Sequence, residues 1–201
     1  MAFNHKERYT NGIVICHGKS EWHMSRYIST NLHLRIKTVA KDKGKYSIQI
    51  TSLANVLNSK PFNKQSLFVS EYAVEETGTG KNKKLADFKL FIIMDTDDCT
   101  PQQKKDYLSK KMFEGHWLYE YIVPIANSPC LEDVLVETGV LSKKIRDNEK
   151  GKCYSTIFPI NSKQLSDDTM AEVLTLKDRV EKCKNSNLVE YIDYCLSLLP
   201  E

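Results

Sequence analysis

Apolar positions in this chain gather into short runs divided by polar stretches, and two spacings recur among them. Gly12-Ile13-Val14-Ile15-Cys16 is continuously apolar and stops at His17-Gly18-Lys19, the pattern of a parallel strand buried on both faces and closed by a tight turn. Ser20 is suited to cap a helix, and Met24, Tyr27, Ile28 and Leu32 recur behind it at helical spacing, which predicts a helix to about residue 31. Residues 34–40 mix apolar and basic positions and predict a half-exposed strand, followed by a polar turn over 41–46. Residues 52–57 predict a short helix that ends before Pro61. Residues 75–84 (EETGTGKNKK) have the composition of an exposed loop, and their glycines lack phosphate-loop spacing.

The clearest strand is 88–94 (FKLFIIM). Thr100, Pro101 and Gln103 then supply a helix start: a capping hydroxyl, a proline at the first position and a glutamine three residues after the cap. That helix is expected to reach about residue 113. Residues 118–125 predict a further strand, and Asn127, Ser128 and Pro129 cap a helix that carries Leu131, Val134 and Leu135 and stops near Gly139. Residues 142–153 are basic and polar, a linker or surface excursion by composition. Two helices close the chain, the last opened by a capping box of Asn187 and Glu190 and striped by Val189, Ile192, Cys195, Leu196 and Leu199.

Strand–helix alternation predicts an α/β domain over residues 11–139, with a mainly parallel sheet flanked by helices. Residues 140–201 then form a linker and a helical C-terminal extension, packed on that domain or on a partner. Sites in such sheets lie beyond the carboxyl ends of the strands. His17 and the acidic residues 95–98 both follow predicted strands, so both belong to that edge.

Composition narrows the function classes only slightly. A chain of 201 residues with 41% hydrophobic and 27% charged residues buries a core without covalent staples. Twenty-nine basic against twenty-six acidic residues permits a nucleic-acid partner without arguing for one, so a basic footprint has to be local. No aromatic–basic interleaving points to a single-strand stacking platform. The polar first residues and the lack of a membrane-length apolar run lead to the expectation of a cytoplasmic protein without membrane contact. The six cysteines form no C-x-x-C pair and the five histidines lack ligand spacing, which predicts reduced, mostly buried thiols rather than disulfides or zinc.

Asp95, Asp97 and Asp98 place three carboxylates within four residues, where they repel one another. A divalent cation relieves that repulsion, and hard oxygen ligands suit Mg2+ or Mn2+. A turn leading into a helix N-terminus favours aspartates equally well. His17 is open to the roles of ligand, proton shuttle, phosphate partner or ordinary loop histidine. Glu21 and Glu132 each sit in the first turn of a predicted helix, placed either to reach a metal or to favour the helix dipole. Lys19 is a phosphate partner or a surface charge.

Three segments together carry a resemblance. ICHGKSE (residues 15–21) resembles the first motif of Toprim domains, a strand ending in a glutamate–glycine turn, and IIMDTDD (92–98) resembles the second, a strand ending in Asp-x-Asp. ANSPCLEDVL (126–135) is similar to the Ser-Asn-Pro-Cys-Phe-Glu-Leu-Trp segment of RloB-like Toprim proteins, with Asn127-Ser128 at the leading pair, Leu131 for phenylalanine, Val134 for tryptophan and Glu132 at the family glutamate. The likeness covers about residues 11–139, and the closing helix near 187–198 also resembles the family's C-terminal segment.

The resemblance implies a Toprim-like fold and metal-dependent cutting of phosphodiester bonds in DNA or RNA. It also implies a place in bacterial anti-phage defence, as in RloB-like and OLD-like proteins, often beside an ATPase partner. Carried over by position, Asp95 and Asp97 hold Mg2+ or Mn2+, Asp98 assists, Glu132 is a further ligand, and His17 and Glu21 complete the catalytic set. Lys19, Lys104 and Lys105 track the phosphate backbone. One departure stands out: the family's first-motif glutamate falls at His17, which moves protons near neutrality but brings no negative charge to a cation. The alternative implied is a non-catalytic Toprim-like regulatory or partner-binding subunit. The C-terminal stripe is compatible with a homodimer.

Overall fold

β1 (Gly12–Cys16) is buried at all five positions, and β5 (Lys89–Asp95) at every position after its first. The computed structural model describes residues 9–146, 149–160 and 167–200; the polar residues 1–8 and positions 147–148 of the expected linker lie outside the described residues. β1 and β5 are the central pair of a four-stranded parallel sheet, with β2 (Ile36–Val39) outside β1 and β6 (Ile122–Asn127) outside β5. Strands covered on both faces have no use for polar side chains, which is why these two read as continuous apolar runs.

Alternation along the strands feeds two cores. On one face Val14, Cys16, Phe91, Ile93 and Ile125 pack with α1 (Lys19–Asn31), α5 (Leu131–Glu137), α6 (Lys150–Ile157), α7 (Asp167–Glu181) and α8 (Val189–Ser197). On the other, Ile13, Ile15, Leu90, Ile92 and Met94 pack with α2 (Leu53–Leu57), α3 (Gln65–Tyr72) and α4 (Pro101–Leu108). The result is three layers, helices on both sides of a parallel sheet. The C-terminal helices share one core with α1 and β1, through Tyr154, Val173, Leu176, Tyr191, Ile192 and Cys195.

Several element ends differ from the expected ones for identifiable reasons. Gly18, not Ser20, precedes α1, and its N–H donates to Glu21 Oε2 at 2.9 Å. α4 begins with the expected box, Gln103 N–H to Thr100 Oγ1 and Thr100 N–H to Gln103 Oε1, but ends at Leu108. Beyond it Lys110 adopts φ 63, and a separate 3-10 turn covers Lys111–Phe113. Asn127 is a strand residue paired with Asp95, so Cys130 rather than the 127–129 segment precedes α5. Within 75–84, β3 (Glu76–Thr77) pairs antiparallel with β4 (Lys84–Leu85), a small hairpin where an irregular loop is expected. The expected linker contains the start of α6, whose only fully buried side chain is Tyr154, too sparse a signal among lysines. α3 has the same character, with Phe68 alone buried.

All six cysteines carry free thiols, but only Cys16, Cys183 and Cys195 are buried; Cys99, Cys130 and Cys153 are partly exposed, where mostly buried thiols are expected. Among the described residues, no helix is long and apolar enough to cross a membrane.

Topology also fixes where a ligand belongs. From β1 the chain moves outward to β2, then returns to lay β5 on the other side of β1. The strand order therefore reverses between β1 and β5, and their carboxyl ends frame a crevice at the switch point.

Candidate metal centre at the switch point

His17 leaves β1 at that crevice, its N–H still bonded to Ile93 O at 2.8 Å. Asp95 is the last residue of β5, only 6% exposed, and His17 Nε2 stands 3.8 Å from Asp95 Oδ2. The other oxygen of Asp95 accepts from Leu131 N–H at 2.9 Å, at the start of α5. One turn into α1, Glu21 is 1% exposed, and its Oε1 has no hydrogen-bond partner among the described residues. In the first turn of α5, Glu132 is also buried; its Oε1 accepts from Ser20 Oγ at 2.7 Å and from Lys150 Nζ at 2.7 Å. Cys130 Sγ completes the wall and bonds Asp133 Oδ2 at 3.1 Å. Ligand atoms of Asp95, Cys130 and Glu132 all lie within 4.8 Å of one another.

Three carboxylates from three strand–helix junctions thus converge in a cavity of about 500 Å³. Burial, reinforced by the Glu21 charge, pushes the Asp95 carboxyl up to about 9; the nearby His17 pulls against this without prevailing. Burial likewise raises Glu21 to about 7, with Glu132 adding to the rise and backbone hydrogen bonds opposing it. Glu132 behaves in the opposite way. Burial works against its ionisation, but the hydrogen bonds from Lys150 and Ser20 outweigh it and hold its carboxyl below the usual range. Burial and the bond to Asp133 push the Cys130 thiol up to about 12.

The expected site residues separate into two groups. His17, Lys19, Glu21, Asp95, Asp97 and Glu132 line the cavity, with Asp97 exposed at its mouth. Asp98 is exposed and does not line it. Lys104 donates to Ser128 Oγ at 2.5 Å and Lys105 points to solvent; neither lines the cavity. Lys19 is exposed at the start of α1, with its ammonium close over Gly151 of α6. Sequence reasoning misses Lys150, because the stretch that carries it looks like a solvated linker. It also treats Ser20 as a cap, whereas the hydroxyl is spent on Glu132. Cys130 lies in the NSPCLE segment, but nothing in the spacing marks its thiol as a cavity wall.

No family model, no curated protein and no solved structure matches this chain. The donor set itself suits a hard divalent cation. Asp95, Glu132 and Glu21 offer oxygens, one of them buried without a hydrogen-bond partner among the described residues, and Lys150 brings an ammonium bonded to Glu132.

Proposed function

We propose that the chain is a divalent-metal-dependent, phosphodiester-cleaving nuclease of Toprim type. The observation that carries this reading is the convergence of buried Glu21, Asp95 and Glu132 at the switch point. Asp95 and Glu132 would hold Mg2+ or Mn2+, with Glu21 behind them and Asp97 at the mouth. The cation would supply positive charge for the phosphate and lower the pKa of a bound water. His17, beside Asp95, is placed to take or return a proton, and Lys150 and Lys19 to meet phosphate oxygens. The three-layer parallel sheet agrees with the Toprim-like fold that the motifs suggest. The same resemblance supports a cytoplasmic role in anti-phage defence with an ATPase partner; the apolar C-terminal stripe that suggested a homodimer packs instead on the chain's own core.

Two observations favour a second reading, a regulatory subunit that binds without cutting. His17 stands where Toprim domains have glutamate, and Lys150 already neutralises Glu132. Labelled DNA and RNA incubated with the wild-type protein in Mn2+, Mg2+ or EDTA separate the two. The nuclease reading expects cleavage that EDTA abolishes. It also expects His17→Ala to lower turnover by roughly 10²- to 10⁴-fold, the usual range for a lost proton-transfer group, with metal affinity little changed. Metal binding without cleavage, in the presence of the partner ATPase, favours the regulatory subunit.

A further inference from the structure

Residues 41–46 (KDKGKY) build the rim of this same cavity: Gly44 and Lys45 line it, and so does Ser47. The segment is anchored at its far end by Ile48 N–H, which donates to His17 O at 2.7 Å. Asp42, Lys43 and Gly44 adopt φ of 47, 54 and 82 in succession, a left-handed stretch that non-glycine residues rarely enter. Gly44 is tightly constrained, since a Cβ there would stand 2.6 Å from Lys19 Cα at the start of α1. The loop is therefore pressed onto the N-terminus of α1 in one shape.

What that shape displays is Tyr46. Its side chain is 51% exposed, the largest value among the exposed large hydrophobic side chains described. Lys41 Nζ stands 5.7 Å and Lys45 Nζ 5.3 Å from its ring centroid. Lys45 also faces Asp42 at 3.8 Å, an exposed pair, and Lys43 is exposed beside them. Three lysines against one aspartate make a positive rim around a cavity walled by carboxylates. Tyr46 belongs to neither hydrophobic core, and half of it stays exposed beside the two lysines.

We propose that this rim grips single-stranded nucleic acid: Tyr46 stacks on one base, and Lys41 and Lys45 hold the phosphates on either side. The inference rests on the nuclease reading and names its substrate class. In a duplex the base faces are covered by their neighbours, so an exposed ring finds a partner only on an unpaired strand. The flanking ammonium groups supply the sequence-independent share of the affinity. Together they would lay a strand across the cavity mouth, next to Asp95 and His17.

The test is fluorescence anisotropy in EDTA, where no strand is cut, with labelled oligothymidylate, oligouridylate, an abasic strand of equal length, and a duplex. Tyr46→Ala is expected to weaken binding of the preferred homopolymer about tenfold, in the range for loss of one stacked base. Tyr46→Trp should restore it, and the abasic strand should bind wild type as weakly as the homopolymer binds Tyr46→Ala. Removing Lys41 and Lys45 together should flatten the salt dependence by about 1.4 in log–log slope, two single-strand phosphate contacts. The tighter of the two homopolymers identifies DNA or RNA as the source. Equal binding by wild type and Tyr46→Ala, or a duplex bound as tightly as a single strand, overturns the grip. Tyr46 lies on the surface, so an unchanged melting temperature shows that the variant is folded. Cleavage assayed in parallel distinguishes a failed grip from a failed nuclease: metal-dependent cutting by Tyr46→Ala with undiminished strand affinity rejects the grip alone.

Discussion

Asp95→Asn is expected to lower metal-dependent cleavage by at least about a hundredfold, comparable to removing one pre-positioned electrostatic contact from an active site. Asparagine has nearly the same shape, and its amide oxygen can still accept from Leu131 N–H, so the end of β5 and the start of α5 stay joined. What disappears is the negative charge that Asp95 would present to a bound cation at the centre of the switch point. Without it, a cation keeps only Glu132 and the more distant acids, and Glu132 is already shared with Ser20 and Lys150. Loss of function by unfolding is ruled out by a second expectation. Asp95 is a buried acid whose ionised form is disfavoured, so the asparagine variant should melt at or above the wild-type temperature in EDTA. Full cleavage by a folded Asp95→Asn protein would contradict the proposed site.

The second large effect concerns pH. In EDTA the protein should become less stable as pH rises from about 5 to 9. Glu21 and Asp95 have folded-state pKa values raised to about 7 and about 9, so the folded protein retains protons that the unfolded chain has already released. Stability contributed by these groups is fully present below the ordinary carboxylate range and is lost as pH climbs through the two raised values. Glu132, whose pKa is lowered, acts in the opposite sense and only at acid pH, below its ordinary value. Each kcal/mol lost across the range corresponds to a fall of roughly 2–4 °C in melting temperature for a chain of this size. Saturating Mn2+ should remove most of the slope, since a cation stabilises the ionised cluster, and Asp95→Asn should flatten it without metal. Melting curves recorded across that range in EDTA check this. A wild-type profile that is flat, or that rises with pH, would mean the carboxylates are not strained by one another.

The sheet is legible because its two central strands are covered on both faces and so leave an unbroken apolar signature at residues 12–16 and 90–94. Their carboxyl ends place His17 and Asp95 at one edge of the sheet. Helices that bury a single large side chain leave no such mark, and α3 and α6 rest on Phe68 and Tyr154 respectively. The cost of overlooking α6 is Lys150, because an ion pair between residues 132 and 150 exists only once that helix folds back over α1. The acidic run 95–98 showed where charge accumulates but not which carboxylate is buried. β5 ends at Asp95, so this side chain stays in the sheet layer while Asp97 and Asp98 pass into solvent. The polar turn expected over 41–46 gives no signal for Tyr46, because a single aromatic residue there fits a core anchor or an exposed ring equally well.

Direct Mn2+ binding tests the central claim most simply. Mn2+ titrated into metal-free protein, with the free ion followed by its electron paramagnetic resonance signal, should reveal one site per chain in the wild type. The Asp95→Asn/Glu132→Gln protein, folded by its melting curve, should show no such site under the same conditions. Wild-type protein that binds no Mn2+, or a double variant that binds it with unchanged stoichiometry and affinity, would contradict a metal centre at the switch point.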